Sequence, residues 1–274
     1  MLSHRASSLG VSSLKSVKLA QCSLQGIEKP IKIYQYEICP YCAKLKGLLD
    51  FHQVPYVTIE VNPLTKQELK DVSFFQRKVP FAVFPDGSAV GDSSVIIQSL
   101  RDRGVFPATP NGYREWEDWV NRRLAVLLFP NMTRSLGESW ETFSYISNTS
   151  FGVFDKFLNR VVGSVAMNLA RRRLKFKYSI VNERSELLSL LGHWMTSIES
   201  SAMHSQGSIE QERLFYGGTS PNDVDAMVFS VIRAMKGTES HRWLLRTAEP
   251  PFLRWWTYME YAVGDQHHMR IAKF

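Results

Sequence analysis

The chain has 274 residues, of which 44% are hydrophobic and 12% aromatic; this suits one large domain or two smaller ones and excludes overall disorder. Three cysteines, two of them in one short motif, exclude a secreted disulfide scaffold. The net charge is +7, and no apolar run approaches the ~20 residues that span a bilayer.

Residues 1–29 stand apart: they are rich in Ser, carry Arg5, Lys15 and Lys18, and hold no acid before Glu28. Their composition resembles a mitochondrial transit peptide, which places the protein in the mitochondrion; the other reading is a solvated, disordered lead. Cys22 has no evident role there.

From Ile31 the period-two pattern predicts a strand that runs towards Cys39. Pro40 suits a first helical position, since it has no N–H to lose and its backbone angle is preset. Leu45, Leu48 and Leu49 predict a helix to Phe51, with Lys44 and Lys46 facing away and Lys44 able to fold back. Cys39 therefore lies at a helix N-terminus, where unpaired N–H groups and the dipole favour a thiolate. Cys42, one turn on, can serve as the resolving thiol. A structural pair or half of a metal site are the alternatives. Zinc wants about four ligands and there is no second cysteine pair, so no metal is expected.

Tyr56–Val61 reads as a second strand, stopped by Asn62 and Pro63. After a helical or irregular connection, Val79–Phe84 predicts a third strand, with Pro85-Asp86-Gly87 turning it into a short fourth at Ser88–Val90. Gly91-Asp92-Ser93-Ser94 then opens a helix to about Asp102. Alone, Val79-Pro80 could be a strand start and Asp92-Ser93 a helix cap.

Taken together, this order and these motifs resemble the thioredoxin-like fold of glutaredoxins and glutathione transferase N-terminal domains. The resemblance implies a cis peptide at Val79-Pro80, an isomer that only X–Pro bonds adopt cheaply. It further implies a glutathione site in which Val79 and Pro80 present backbone to the tripeptide. Asp92 and Ser93 would hold its γ-glutamyl head at a helix N-terminus.

Pro107, Pro110 and Gly112 mark residues 104–112 as a linker. Helices follow. Trp116, Trp119, Val120, Arg123, Leu124 and Leu127 form the expected inner stripe of the first, which Pro130 interrupts. Further helices are expected at 139–147, about 151–172 and 182–200. Phe154, Phe157, Leu158, Val161 and Val165 are the expected buried face of the second of these. Arg171, Arg172, Arg173, Lys175 and Lys177 form a basic run, read either as a solvated helix end or as an anionic contact. A peripheral membrane contact is kept in view, and no nucleic acid partner is expected. Asn222 and Asp225 match a capping box before an almost wholly apolar helix, which should be central. A last helix begins at Pro250 and Pro251.

The fold expected is thus an α/β thioredoxin-like N-terminal domain over 30–103 and an all-α glutathione transferase-like C-terminal domain over 113–274, with a substrate pocket in the cleft between them. The string Tyr36, Cys39-Pro40-Tyr41-Cys42, Glu60-Val61-Asn62-Pro63, Val79-Pro80 and Asp92-Ser93, with Trp116-Glu117-Asp118-Trp119 and Tyr216-Gly217-Gly218 later, resembles the membrane-associated prostaglandin E synthase type 2 family. That resemblance implies Cys39 as the essential thiol, Tyr36 as its hydrogen-bonding neighbour and Cys42 as the second catalytic-site thiol. It makes Val79, Pro80, Asp92 and Ser93 the glutathione contacts. Tyr41 stands in the substrate pocket where the family commonly has Phe. The implied activity is isomerisation of the lipid endoperoxide prostaglandin H2 to prostaglandin E2 by dimers that bind glutathione and, in some states, haem. A glutaredoxin-like thiol–disulfide oxidoreductase, or a non-catalytic scaffold subunit of a mitochondrial complex, are the alternatives.

Overall fold

A computed structural model describes residues 30–70, 72, 78–142, 152–203, 213–264 and 270–273; the expected targeting segment and Cys22 lie outside them. The strand β1 (Ile31–Gln35) is followed by α1 (Pro40–Phe51) and β2 (Tyr56–Glu60). Then come β3 (Phe81–Val83), β4 (Ala89–Gly91) and α2 (Ser93–Asp102). β1 pairs parallel with β2, Ile33 opposite Thr58, and antiparallel with β3, Ile33 opposite Ala82. The parallel pair needs a crossover and α1 supplies it.

The helical half comprises α3 (Tyr113–Trp119), α4 (Ala125–Met132), α5 (Leu136–Thr142), α6 (Val153–Lys177), α7 (Glu183–Met203), α8 (Asp223–Arg233), α9 (Glu239–Thr247) and α10 (Pro250–Val263). Among the described residues, no helix is long and apolar enough to cross a membrane. A π-helical stretch, Val120–Leu124, joins α3 to α4, so the chain stays helical through Pro130 to Met132 instead of breaking there. Arg123, within that stretch, is exposed and not part of the inner stripe.

Two elements were not expected. α9 has too few apolar residues for a clear stripe; its start is capped by Thr238, whose hydroxyl accepts from the His241 N–H at 3.3 Å. The C-terminal half is also not purely helical. β5 (Arg270–Lys273) returns to pair parallel with β2, giving the sheet order β4-β3-β1-β2-β5. The edge of β2 offers unpaired backbone groups to any neighbouring extended segment, and four residues carry too little alternation to be seen in advance.

One apolar core joins the two halves, running from Ile33, Leu45 and Leu48 through Leu124 and Leu128 to Phe229 and Trp255. Its centre is the contact of α1 with α8. Gly47 makes that contact close, for a Cβ built there would lie 1.7 Å from Ser230 Oγ. Charged groups buried at the same seam are paired: Asp50 with Arg233 at 3.2 Å, and Asp223 with both His52 and Arg101 at 2.8 and 2.6 Å.

The expected buried face of α6 is the largest departure. Phe157 is 63% exposed, and Leu158, Val161 and Val165 are exposed as well; the side chain of Phe154 lies outside the described set. The side turned to the body instead buries Asn159, Gly163 and Ser164. Small and polar residues allow close helix approach there, and the apolar stripe is left outside.

Candidate active site

Cys39 is the residue before the first helical position of α1, in extended conformation, with Pro40 next. Its N–H donates to the Tyr36 carbonyl at 3.0 Å and its carbonyl accepts from Ala43 at 2.9 Å, which fixes the turn. Its thiol is half-buried, whereas Cys42, one turn into the helix, is fully buried. The two are unlike as acids. A hydrogen bond from Cys42, helped by the Tyr41 and Cys42 backbone N–H groups and by the Lys46 charge, holds Cys39 below the ordinary thiol range against its burial. Burial, and then the bond to Cys39, pushes Cys42 well above that range. Of the two, Cys39 is the one that ionises first, with the Cys42 thiol as donor to it.

The helping cation is Lys46, not Lys44 as its position suggested. Both lysines are buried and neither faces solvent. Lys46 Nζ lies 3.3 Å from Glu37. Lys44 points the other way and donates at 3.0 Å each to Ser94, Glu117 and Asn121, tying α1 to α2 and to the α3–α4 helix. Beside Lys46, the Gln35 amide bridges two carboxylates, Glu37 at 2.7 Å and Glu60 at 3.0 Å. Burial pushes Glu60 up to about 7 although the Glu37 N–H donates to it at 2.8 Å. Sequence reading missed this cluster, because Gln35 and Glu60 are adjacent only across the β1–β2 register.

Tyr36 is raised to about 12, chiefly by burial and then by the nearby Cys39 and Cys42. At neutral pH it is a phenol, able to donate to an anion. Tyr41 uses the hydroxyl that distinguishes it from Phe to donate to the Asn121 carbonyl at 3.0 Å. Tyr36, Cys39 and Tyr41 together line a cavity of about 450 Å³. Its other wall comes from the helical half: Val126 and Phe129 of α4, Met167 and Leu174 of α6, and Tyr178. The lining is overwhelmingly apolar, and those wall residues carried no signal in the sequence beyond their hydropathy.

Val79, Pro80, Asp92 and Ser93 are not part of that lining. The Val79-Pro80 bond is cis, and the β3 ladder begins only at Phe81, which leaves the peptide groups of Val79 outside it. Asp92 precedes α2 with φ of 72°, and its carboxylate accepts from the Ser94 N–H at 2.8 Å. Its charge is felt by Tyr41 and Lys44, which puts the α2 N-terminus in the neighbourhood of Tyr41, one of the cavity's lining residues. Peptide groups of Val79 outside the β3 ladder and a helix N-terminus near Tyr41 suit the backbone and carboxylate of a glutathione-like tripeptide. Haem finds no such support. No histidine is among the cavity's lining residues, and among the described residues no cluster of His, Cys, Asp and Glu suits a metal.

Known proteins give the following comparison. A family model described as the glutathione S-transferase N-terminal domain matches residues 38–103. The chain is 29% identical over 259 residues to prostaglandin E synthase 2 of Danio rerio, covering 77% of this chain but only 65% of that relative. To prostaglandin E synthase 2 of Mus musculus it is 28% identical over 293 residues, covering 87% of this chain and 72% of the relative. The crystal structure of glutathione transferase GSTFuA3 from Phanerochaete chrysosporium superposes with a TM-score of 0.59 at 16% identity, over 86% of this chain and 98% of that one. The fold is therefore glutathione transferase-like, a thioredoxin-type sheet domain followed by a helical one.

Proposed function

We infer from the chain's membership of the prostaglandin E synthase 2 family that it is a glutathione-binding thiol enzyme acting on an apolar endoperoxide, the conversion of prostaglandin H2 to prostaglandin E2. The observation that supports this reading most is the acidified Cys39 at the wall of an apolar cavity between the two halves. The chemistry follows from the residues. The Cys39 thiolate attacks one endoperoxide oxygen; an S–O bond forms, the O–O bond breaks, and the other oxygen leaves as an alkoxide. The Tyr36 phenol donates to that developing charge, and the alkoxide takes up a proton. Loss of the proton from the carbon bearing the S-bound oxygen forms the ketone, breaks S–O and returns the thiolate. Electrons balance without an external oxidant or reductant. Glutathione, when bound, would be held by Val79, Asp92 and Ser93, and it supplies a second thiol beside the cavity.

A second reading, thiol–disulfide exchange, is favoured by the hydrogen bond between Cys42 and Cys39. The two readings separate in one experiment on purified protein with glutathione, offered the endoperoxide or a mixed disulfide. Cys39→Ser should abolish turnover of either substrate. Cys42→Ser keeps a donor to Cys39 and should leave isomerisation within about threefold while abolishing dithiol reduction. Cys42→Ala removes the donor, so Cys39 alkylation should shift to higher pH and isomerisation at neutral pH should fall about tenfold. Full isomerisation by Cys39→Ser would sink the reading.

A further inference from the structure

The mechanism above makes no use of the outer face of α6 or of the turn that follows it. Leu158, Val162, Val165 and Leu169 form a straight exposed stripe at alternating spacings of four and three. It leads to Phe176, 91% exposed, and, past the turn, to Val181, 86% exposed. Arg172, Arg173 and Lys177 are exposed along the same end, and no acidic partner is found for them among the described residues. Their neighbours differ: Arg171 and Lys175 turn inwards and are both paired with Glu183. Cations are thus neutralised on the inner side and left unpaired on the side where the apolar stripe lies.

We infer that the outer face of α6 and the α6–α7 turn dock on an anionic lipid surface. An interfacial helix combines an apolar face with basic residues that reach to the headgroups, and both elements are here, on one 25-residue helix. Charge decides against a second copy of the chain as occupant. The described side chains of α6 include no acid that could meet these cations from an apposed copy, whereas an anionic membrane complements them. The opposite side of α6 contributes Met167 and Leu174 to the Cys39 cavity, and Tyr178 of the turn joins them. The docked helix is therefore also a wall of that cavity, positioned to receive an apolar substrate from the bilayer. Only this last consequence rests on the function proposed above.

The test is co-sedimentation of the full chain with vesicles of phosphatidylcholine alone and of phosphatidylcholine with phosphatidylserine. Binding is expected to the second only, and to weaken as salt rises. Replacing Arg172, Arg173 and Lys177 together by Ala should weaken it about a hundredfold. Phe176→Ser with Val181→Ser should weaken it about tenfold while thermal melting, followed by circular dichroism, stays unchanged. Equal binding to neutral vesicles, no binding to either, or indifference to these variants would overturn the inference. So would a dimer in sedimentation velocity that Phe176→Ser with Val181→Ser disperses, since the face would then belong to a second copy. Vesicle binding without endoperoxide turnover counts against the proposed function and leaves the docking surface standing; turnover without vesicle binding does the reverse.

Discussion

α8 and α6 each carry an apolar stripe and use it in opposite ways. Every residue of α8 is buried, polar ones included, and each polar group there has a partner. Asp223 meets His52 and Arg101, Ser230 donates to the Ala226 carbonyl at 2.6 Å, and Arg233 meets Asp50. Asp225 closes the capping box and takes further N–H donors from Tyr216, Gly217 and Trp255. α6 hides its small and polar side and exposes Val, Leu and Phe. Periodicity reports that a helix has an apolar face; it does not report what covers that face.

Three substitutions sharpen or break this contrast. Gly47→Ala, where α1 meets α8, should cost most, about 3 kcal/mol or more despite the better helix propensity of Ala, because its Cβ collides with Ser230. Adding Ser230→Gly should restore much of the loss, and urea melts of the two single variants and the double variant measure that coupling. Asp225→Ala should follow closely, at roughly 2–4 kcal/mol, since it strands buried backbone and indole donors. Burial raises Asp225 to about 6. Its folded form therefore holds a proton more readily than the unfolded chain does, and this one group lowers stability as pH rises from about 4 to 6. The variant should lack that slope. At the small end, Leu169→Gln on α6 should change the melting free energy by no more than about 0.5 kcal/mol. A loss of several kcal/mol would mean that the α6 face is covered in solution and that the contrast with α8 fails.

What could be read in advance was local. Cys39 before Pro40, the cap at Asn222 and Asp225, and the strand–helix order of the first half depend on residues a few positions apart, and all stand where the sequence placed them. The misjudged features depend on distant partners. Lys44 looked like a solvent residue because nothing nearby in sequence announces Glu117 or Asn121, and Lys46 did because its partner Glu37 lies across the turn that precedes α1. Likewise the cavity wall at Met167, Leu174 and Tyr178 exists only once α6, packed on α4 and α5, faces the Cys39 segment across the cavity, and β5 only because the β2 edge is open to it.

The three-way grip of Lys44 on Ser94, Glu117 and Asn121 constrains how a reactant reaches the thiolate. Prising the two halves apart would strand a desolvated ammonium and uncover the joint core, so a hinge at that seam is the costly route. A reactant therefore reaches Cys39 with the two halves held in one arrangement, through a cavity whose walls both halves supply.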